Sequence, residues 1–134
     1  NFGYFSKGKL YHLQMTSDKW RLVTLDWDKF AWNKAYKLIK FIFNDRKDIK
    51  KIKVYSSPNV NGYHIYIYFD HWLEWNEVLQ LRRKYQDDDK RLINDLFKTN
   101  PEEKMILFQN KNGKKEIFMH EFWSNRFEMP SQIK

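Results

Sequence analysis

Apolar and polar positions alternate most clearly over residues 63–69. Ile65, Ile67 and Phe69 fall on one side of an extended chain; His64, Tyr66, Tyr68 and Asp70 fall on the other. Side chains of a strand point to alternate faces, so this period predicts a β-strand from Tyr63 to Phe69. Arg21 to Trp27 has the same period, with Val23, Leu25 and Trp27 set against Thr24 and Asp26. Asp28 continues the Thr24 and Asp26 face. Ile52 to Ser56 reads as another strand. The stretch Ser57-Pro58-Asn59-Val60-Asn61-Gly62 has turn chemistry, since proline fixes one φ and glycine admits a positive one.

A helical period occupies the intervals. Ala31, Ala35, Leu38 and Ile42 form one stripe, with Trp32, Tyr36, Ile39 and Phe43 beside it, which predicts a helix over Ala31 to Phe43. Trp75, Val78, Leu79 and Arg82 predict a second helix within Leu73 to Tyr85. Asp87, Asp88 and Asp89 suit the start of a third, because acids favour a helix N-terminus. It carries Leu92, Ile93, Leu96 and Phe97 and ends at Asn100-Pro101. Met105 to Gln109 and Lys115 to Met119 read as a strand pair around Asn112-Gly113, a hairpin-turn signal.

No repeat, linker or composition shift divides the chain. One domain over residues 1–134 is expected, with an N-terminal hairpin or arm at 1–19, a core at 20–119 and a packed tail at 120–134. The arm contains a hairpin-like Phe5 to Leu10, and the tail holds Phe122, Trp123 and Phe127. The core order βαββαβ predicts an α+β fold, an antiparallel sheet of split-βαβ, RRM-like type with helices packed on one face. The other sheet face is then open. It displays Tyr66 and Tyr68, with His64 and Asp26 nearby.

Composition narrows the chemistry. Cysteine is absent, which excludes a disulfide scaffold, a thiolate zinc site and a thiol nucleophile. No apolar run approaches the roughly 20 residues that cross a bilayer, so a cytoplasmic protein without membrane contact is expected, in the host cytoplasm if the chain is viral. The formal charge is +8 and aromatic residues make up 19% of the chain. Cations interleaved with rings suit single-stranded nucleic acid, where phosphates meet lysine and arginine and bases stack on aromatic faces.

Four groups of residues can carry chemistry. Asp26 and Asp28, one residue apart at a strand end, can bridge divalent ions; Asp28 capping the next helix is the simpler alternative. His64, just after Gly62, can meet a phosphate, ligate a metal or bond a turn carbonyl. Tyr66 and Tyr68 are stacking platforms if their face is open, and core rings if the arm or tail covers them. Lys51, Lys53, Arg82 and Arg83 flank the aromatic strand and can track phosphates, or simply be solvated.

Taken in order, these pieces resemble a known family. A strand ending Leu25-Asp26-Trp27-Asp28, a helix, a strand and then Ser57 to His64 leading into Ile65-Tyr66-Ile67-Tyr68 is similar to the catalytic core of archaeo-eukaryotic primases. It also resembles small archaeal single-stranded-DNA-binding proteins related to that core. The likeness spans about residues 20–70. It implies metal ligation by Asp26 and Asp28, with Mg²⁺ or Mn²⁺ as cofactor if the core is catalytic, and nucleotide contact by His64. The chain departs from the family at Pro58 to Asn61, where the family has a phosphate-gripping arginine. Asp88-Asp89-Lys90-Arg91-Leu92-Ile93 matches a family stretch of Asp, two residues, then Arg-Leu-Ile, but in a helical setting.

The missing arginine favours binding over catalysis. The expected function is single-stranded DNA binding on a primase-like core. A minimal metal-dependent primase or nucleotidyltransferase, using Asp26, Asp28 and His64, is the alternative. A protein-interaction or inhibitor module is a third. The aromatic tail either covers the core or forms a homodimer contact.

Overall fold

The computed structural model describes residues 15–16, 19–58, 61–108, 110–111 and 113–125. The hairpin expected at Phe5 to Leu10, the turn residue Asn112 and the tail residue Phe127 lie outside them. The described strands are β1 (Met15–Thr16), β2 (Lys19–Trp27), β3 (Ile49–Ser56), β4 (Tyr63–Glu74), β5 (Asn110–Lys111), β6 (Lys114–Lys115) and β7 (Ile117–Trp123). The helices are α1 (Trp32–Asp45), α2 (Trp75–Lys84) and α3 (Asp89–Leu96).

The protein is α+β. Its main sheet has the order β1-β2-β4-β3-β7, and every neighbouring pair is antiparallel. β2 and β3 therefore run parallel, with β4 between them and α1 crossing from one to the other. β7 pairs with β3 at the sheet edge. The expected strand from Met105 to Gln109 does not form. Its first four residues run as turn and irregular chain, and the two-residue strands β5 and β6 make a separate small ladder. β7 lies further along than the strand expected at Lys115 to Met119, reaching Trp123.

The register explains which face each helix covers. Ile65 stands opposite Leu25 and Val54, and Ile67 opposite Val23 and Ile52. These six side chains are fully buried. α1 packs on this face: Trp32 meets Tyr63 and His120, and Tyr36 meets Phe122. α2 joins it there, with Trp75 against Trp20 and the Trp27 indole N–H donating to the Tyr85 carbonyl at 2.8 Å. Both helices thus share one face, as the pattern predicts.

The opposite face is not open along its length. Met105 and Leu107 are buried against the core from the chain beyond α3. The Thr24 hydroxyl donates to the Met105 carbonyl at 2.6 Å. Met105 itself has a left-handed backbone (φ 64°), which an L residue adopts at a cost of about 1–2 kcal/mol. Its N–H donates to Asp95 at 2.9 Å, so side chains from β2 and α3 hold both of its backbone groups.

The β3–β4 loop is shaped by Gly62. A Cβ there would run into the Ser57 hydroxyl, so glycine is needed for the close approach. Ser57 N–H closes the loop on the Gly62 carbonyl at 2.9 Å, and Phe30 N–H reaches the Asn61 carbonyl at 2.9 Å. The loop is thereby tied to the chain leaving β2. This sets His64 opposite Asp26 and Tyr55 in the sheet.

Candidate functional site

His64 and Asp26 meet on the sheet face away from α1 and α2. His64 Nε2 lies 3.9 Å from Asp26 Oδ1. Its other ring nitrogen, Nδ1, lies 2.8 Å from Oε2 of Glu116, in the short link between β6 and β7. The Tyr66 hydroxyl donates to the same carboxylate at 3.0 Å. The Glu116 carboxylate thus ties the His64 ring and the Tyr66 hydroxyl together, and His64 Nε2 faces Asp26.

Asp26 and His64 line a cavity of about 250 Å³. Its far wall comes from α3 and its approach, through Asp88, Lys90, Arg91, Asn94, Asp95 and Lys98. Pro58, Ile106, Leu107 and Phe108 complete the lining. Cations, acids, amide and apolar groups therefore converge on one space.

The wall from α3 is held rigidly. Asp88 caps the helix, accepting from Lys90 N–H at 3.2 Å. Asp87, buried beside it, accepts from the backbone N–H of Asp26 at 2.9 Å and from Arg82 Nε at 2.6 Å. Arg91 donates to Asp87 at 3.0 Å, to the Thr24 carbonyl at 2.9 Å and to the Thr24 hydroxyl. Among the described residues no strand pairs with β2 along this edge, and Asp87 and Arg91 bond its backbone groups at Asp26 and Thr24.

Asp26 is the unusual group. Its carboxylate is mostly buried, yet no described residue donates a hydrogen bond to it. Burial pushes the carboxyl above its ordinary value; His64 and Arg91 oppose the rise, and Asp87 and Asp88 reinforce it. Burial also works to raise Asp95, but Arg82, Arg91, the Met105 N–H and Lys98 outweigh it and hold that carboxyl low.

The remaining expected site residues divide. Asp28 lies past the end of β2, exposed, and does not line the cavity. Among the described residues, no three His, Asp or Glu side chains gather to hold a metal. With Asp28 outside the cavity and His64 Nδ1 facing Glu116, the donors do not fit a pair of Mg²⁺ or Mn²⁺ ions, and we derive no step through one.

Tyr66 corrects the expectation of an open platform. It is 1% exposed, because Glu116 and Tyr55 cover it. Tyr68 is half-buried beneath two cations, with Lys51 Nζ 5.1 Å and Lys53 Nζ 5.6 Å from its ring. Lys51 also lies 5.0 Å from the Trp123 ring, and Glu121 sits within 4.0 Å of both lysines. Burial, with Tyr55 and Glu121 adding to it, pushes the Tyr68 phenol up to about 12. These residues form a lysine–aromatic cluster on the same sheet face as the cavity.

Arg82 is a second correction. Its side chain is fully buried, paired with Asp87 at 2.6 Å and Asp95 at 2.8 Å, so it cannot meet a phosphate. Arg83 is exposed on α2, on the helical side of the sheet. Glu116, Asn94, Lys98 and Phe108 were not singled out by sequence. Only the Asp88 to Arg91 stretch carried a signal, and its helical setting places Asp88 and Arg91 at the cavity.

No family model, curated protein or solved structure matches the chain.

Proposed function

We propose that the protein binds single-stranded nucleic acid, with DNA as the expected form, on a primase-like, RRM-like core that acts by binding rather than catalysis. One observation carries this reading. The sheet face away from α1 and α2 bears both the cavity, with Lys90, Arg91 and Lys98 in its wall, and the cluster of Lys51, Lys53, Tyr68 and Trp123. Cations for phosphates and rings for bases on one surface are what a flexible strand requires. Phe108, half exposed in the cavity lining, adds a ring to that surface.

The parallel pair β2 and β3 around β4 supports a split-βαβ relationship to RRM-like and primase cores. β7 beside β3 is the point where the sheet departs from a second crossover of that kind. Asp28 outside the cavity and His64 committed to Glu116 support binding over nucleotidyl transfer.

Fluorescence anisotropy with a labelled oligothymidylate, titrated across salt with and without EDTA, tests the reading. Affinity is expected to fall linearly with log salt and to survive EDTA. No binding at low salt would leave the protein-interaction reading in its place. Template-dependent incorporation of nucleotides with Mn²⁺ would restore the catalytic one.

A further inference from the structure

The cavity presents hydrogen-bond acceptors that lack donors. Asp26 offers two carboxylate oxygens and receives no hydrogen bond from the described residues. His64 Nδ1 is engaged by Glu116, and its Nε2 stands 3.9 Å from Asp26 Oδ1, beyond hydrogen-bond distance. A partly buried acceptor without a donor is costly, and a ligand that brings donors relieves the cost. Ile106, Leu107 and the half-exposed ring of Phe108 line the same cavity. A flat ring with adjacent N–H groups on one edge matches such a space.

We infer that the cavity takes one unstacked guanine base, whose Watson–Crick edge donates to Asp26. This rests on the nucleic-acid reading above and deepens it. Guanine places two donors, N1–H and the N2 amino group, side by side, and a carboxylate accepts both. Adenine and cytosine each set a ring-nitrogen acceptor beside their amino group. Thymine flanks its one N–H with two carbonyls. Each of these would face the acceptor wall with at least one repulsive contact. The volume of about 250 Å³ lies just below the roughly 300–1,000 Å³ of pockets for drug-sized ligands, which suits one base rather than a stacked pair. Lys90 and Lys98 at the same cavity suit the phosphates on either side and disfavour a cationic peptide side chain as the donor. Enzymes and binders that read an extruded base use the same combination of edge hydrogen bonds and apolar contact.

The test uses oligothymidylates that carry one central substitution, bound to the full chain at fixed salt. Guanine is expected to bind about tenfold more tightly than adenine or thymine at that position, the low end of discrimination by a bidentate contact. Hypoxanthine, which lacks the N2 amino group, should lose most of the gain. 7-Deazaguanine, which keeps both donors, should retain it. Asp26→Asn should level the guanine preference, so that the guanine, adenine and thymine oligomers bind alike. Competition by free deoxyguanosine monophosphate would show that the base suffices outside a strand; its failure, with the guanine oligomer preferred, would assign recognition to the strand. Equal affinity for the guanine, hypoxanthine and adenine oligomers, with plain binding intact, overturns the inference and leaves the nucleic-acid reading standing. No binding to any oligomer overturns both.

Discussion

Glu116 Oε2 lies 2.8 Å from His64 Nδ1, joining residues 52 positions apart in the chain. The same carboxylate accepts the Tyr66 hydroxyl, so one acidic side chain holds two sheet residues in place. Glu116→Ala should remove the carboxylate that the Tyr66 hydroxyl and the His64 ring share. The expected loss is about 1–3 kcal/mol of unfolding free energy, read by urea denaturation. Glu116→Gln, which keeps an acceptor, should lose less.

Arg82 separates a structural role from a binding one. Replacing it with methionine removes the buried cation between Asp87 and Asp95, which keep Arg91 and Lys98, and the expected cost is up to about 3–5 kcal/mol. A phosphate contact would instead show as weakened oligonucleotide binding with unchanged stability. Denaturation and binding measured on the same variant distinguish the two.

Tyr66→Ala should behave as a core truncation. The expected loss is about 3–5 kcal/mol, as for other large buried aromatic side chains. Tyr68→Ala should cost less stability, because Tyr68 is only half-buried, and should weaken strand binding together with Lys51 and Lys53.

Lys90 is exposed at the cavity wall. Lys90→Gln should lower affinity for all oligomers alike. It should also reduce the slope of log affinity against log salt by about 1, as expected when one fewer phosphate is neutralised. An unchanged slope would remove Lys90 from the binding surface.

Acid should act on the carboxylates in opposite directions. Asp26 has its pKa raised by folding, chiefly through burial, so its ionised form costs stability at neutral pH, and that cost vanishes as the pH falls through the raised value. Asp26→Asn should therefore raise the denaturation midpoint at pH 7, with the gain shrinking toward pH 4. Burial acts to raise Asp48 also, but hydrogen bonds from Arg46 and His71 bring it down to about 2. Asp95 is held low as well. Their stabilisation is full above the ordinary value of 3.8 and is lost as the pH falls toward 2. Urea titrations across this range on the wild-type chain and Asp26→Asn check both signs.

Local pattern carried much of the fold. The period over Arg21 to Trp27 and Tyr63 to Phe69 marks β2 and β4, and the stripe from Ala31 marks α1 to within a residue or two at each end. The Gly62 turn fixes the register that brings His64 to Asp26. The rest depends on distant partners. Tyr66 has the spacing of an exposed strand residue, and it is covered by Glu116, 50 positions away, and by Tyr55 on the neighbouring strand. Arg82 occupies a helical position equally suited to solvent, and Asp87 and Asp95 pull it into the core. Met105 to Gln109 has strand-like composition, but Thr24 and Asp95 take both backbone groups of Met105, and Ile106 to Phe108 run as irregular chain. Asp28 continues the alternation of β2 on paper, yet the strand ends one residue before it.

The side chains of Asp87 and Arg91 occupy the backbone groups of β2 at Asp26 and Thr24. An exposed sheet edge is a template on which another chain can add, and repeated addition on two edges builds fibres. Here one flank is already capped along those residues. The sheet's edge strands are β1, of two residues, and β7, and among the described residues no strand pairs with the outer side of β7. Breaking the Asp87–Arg91 cap would then cost the protein its resistance to aggregation as well as its stability.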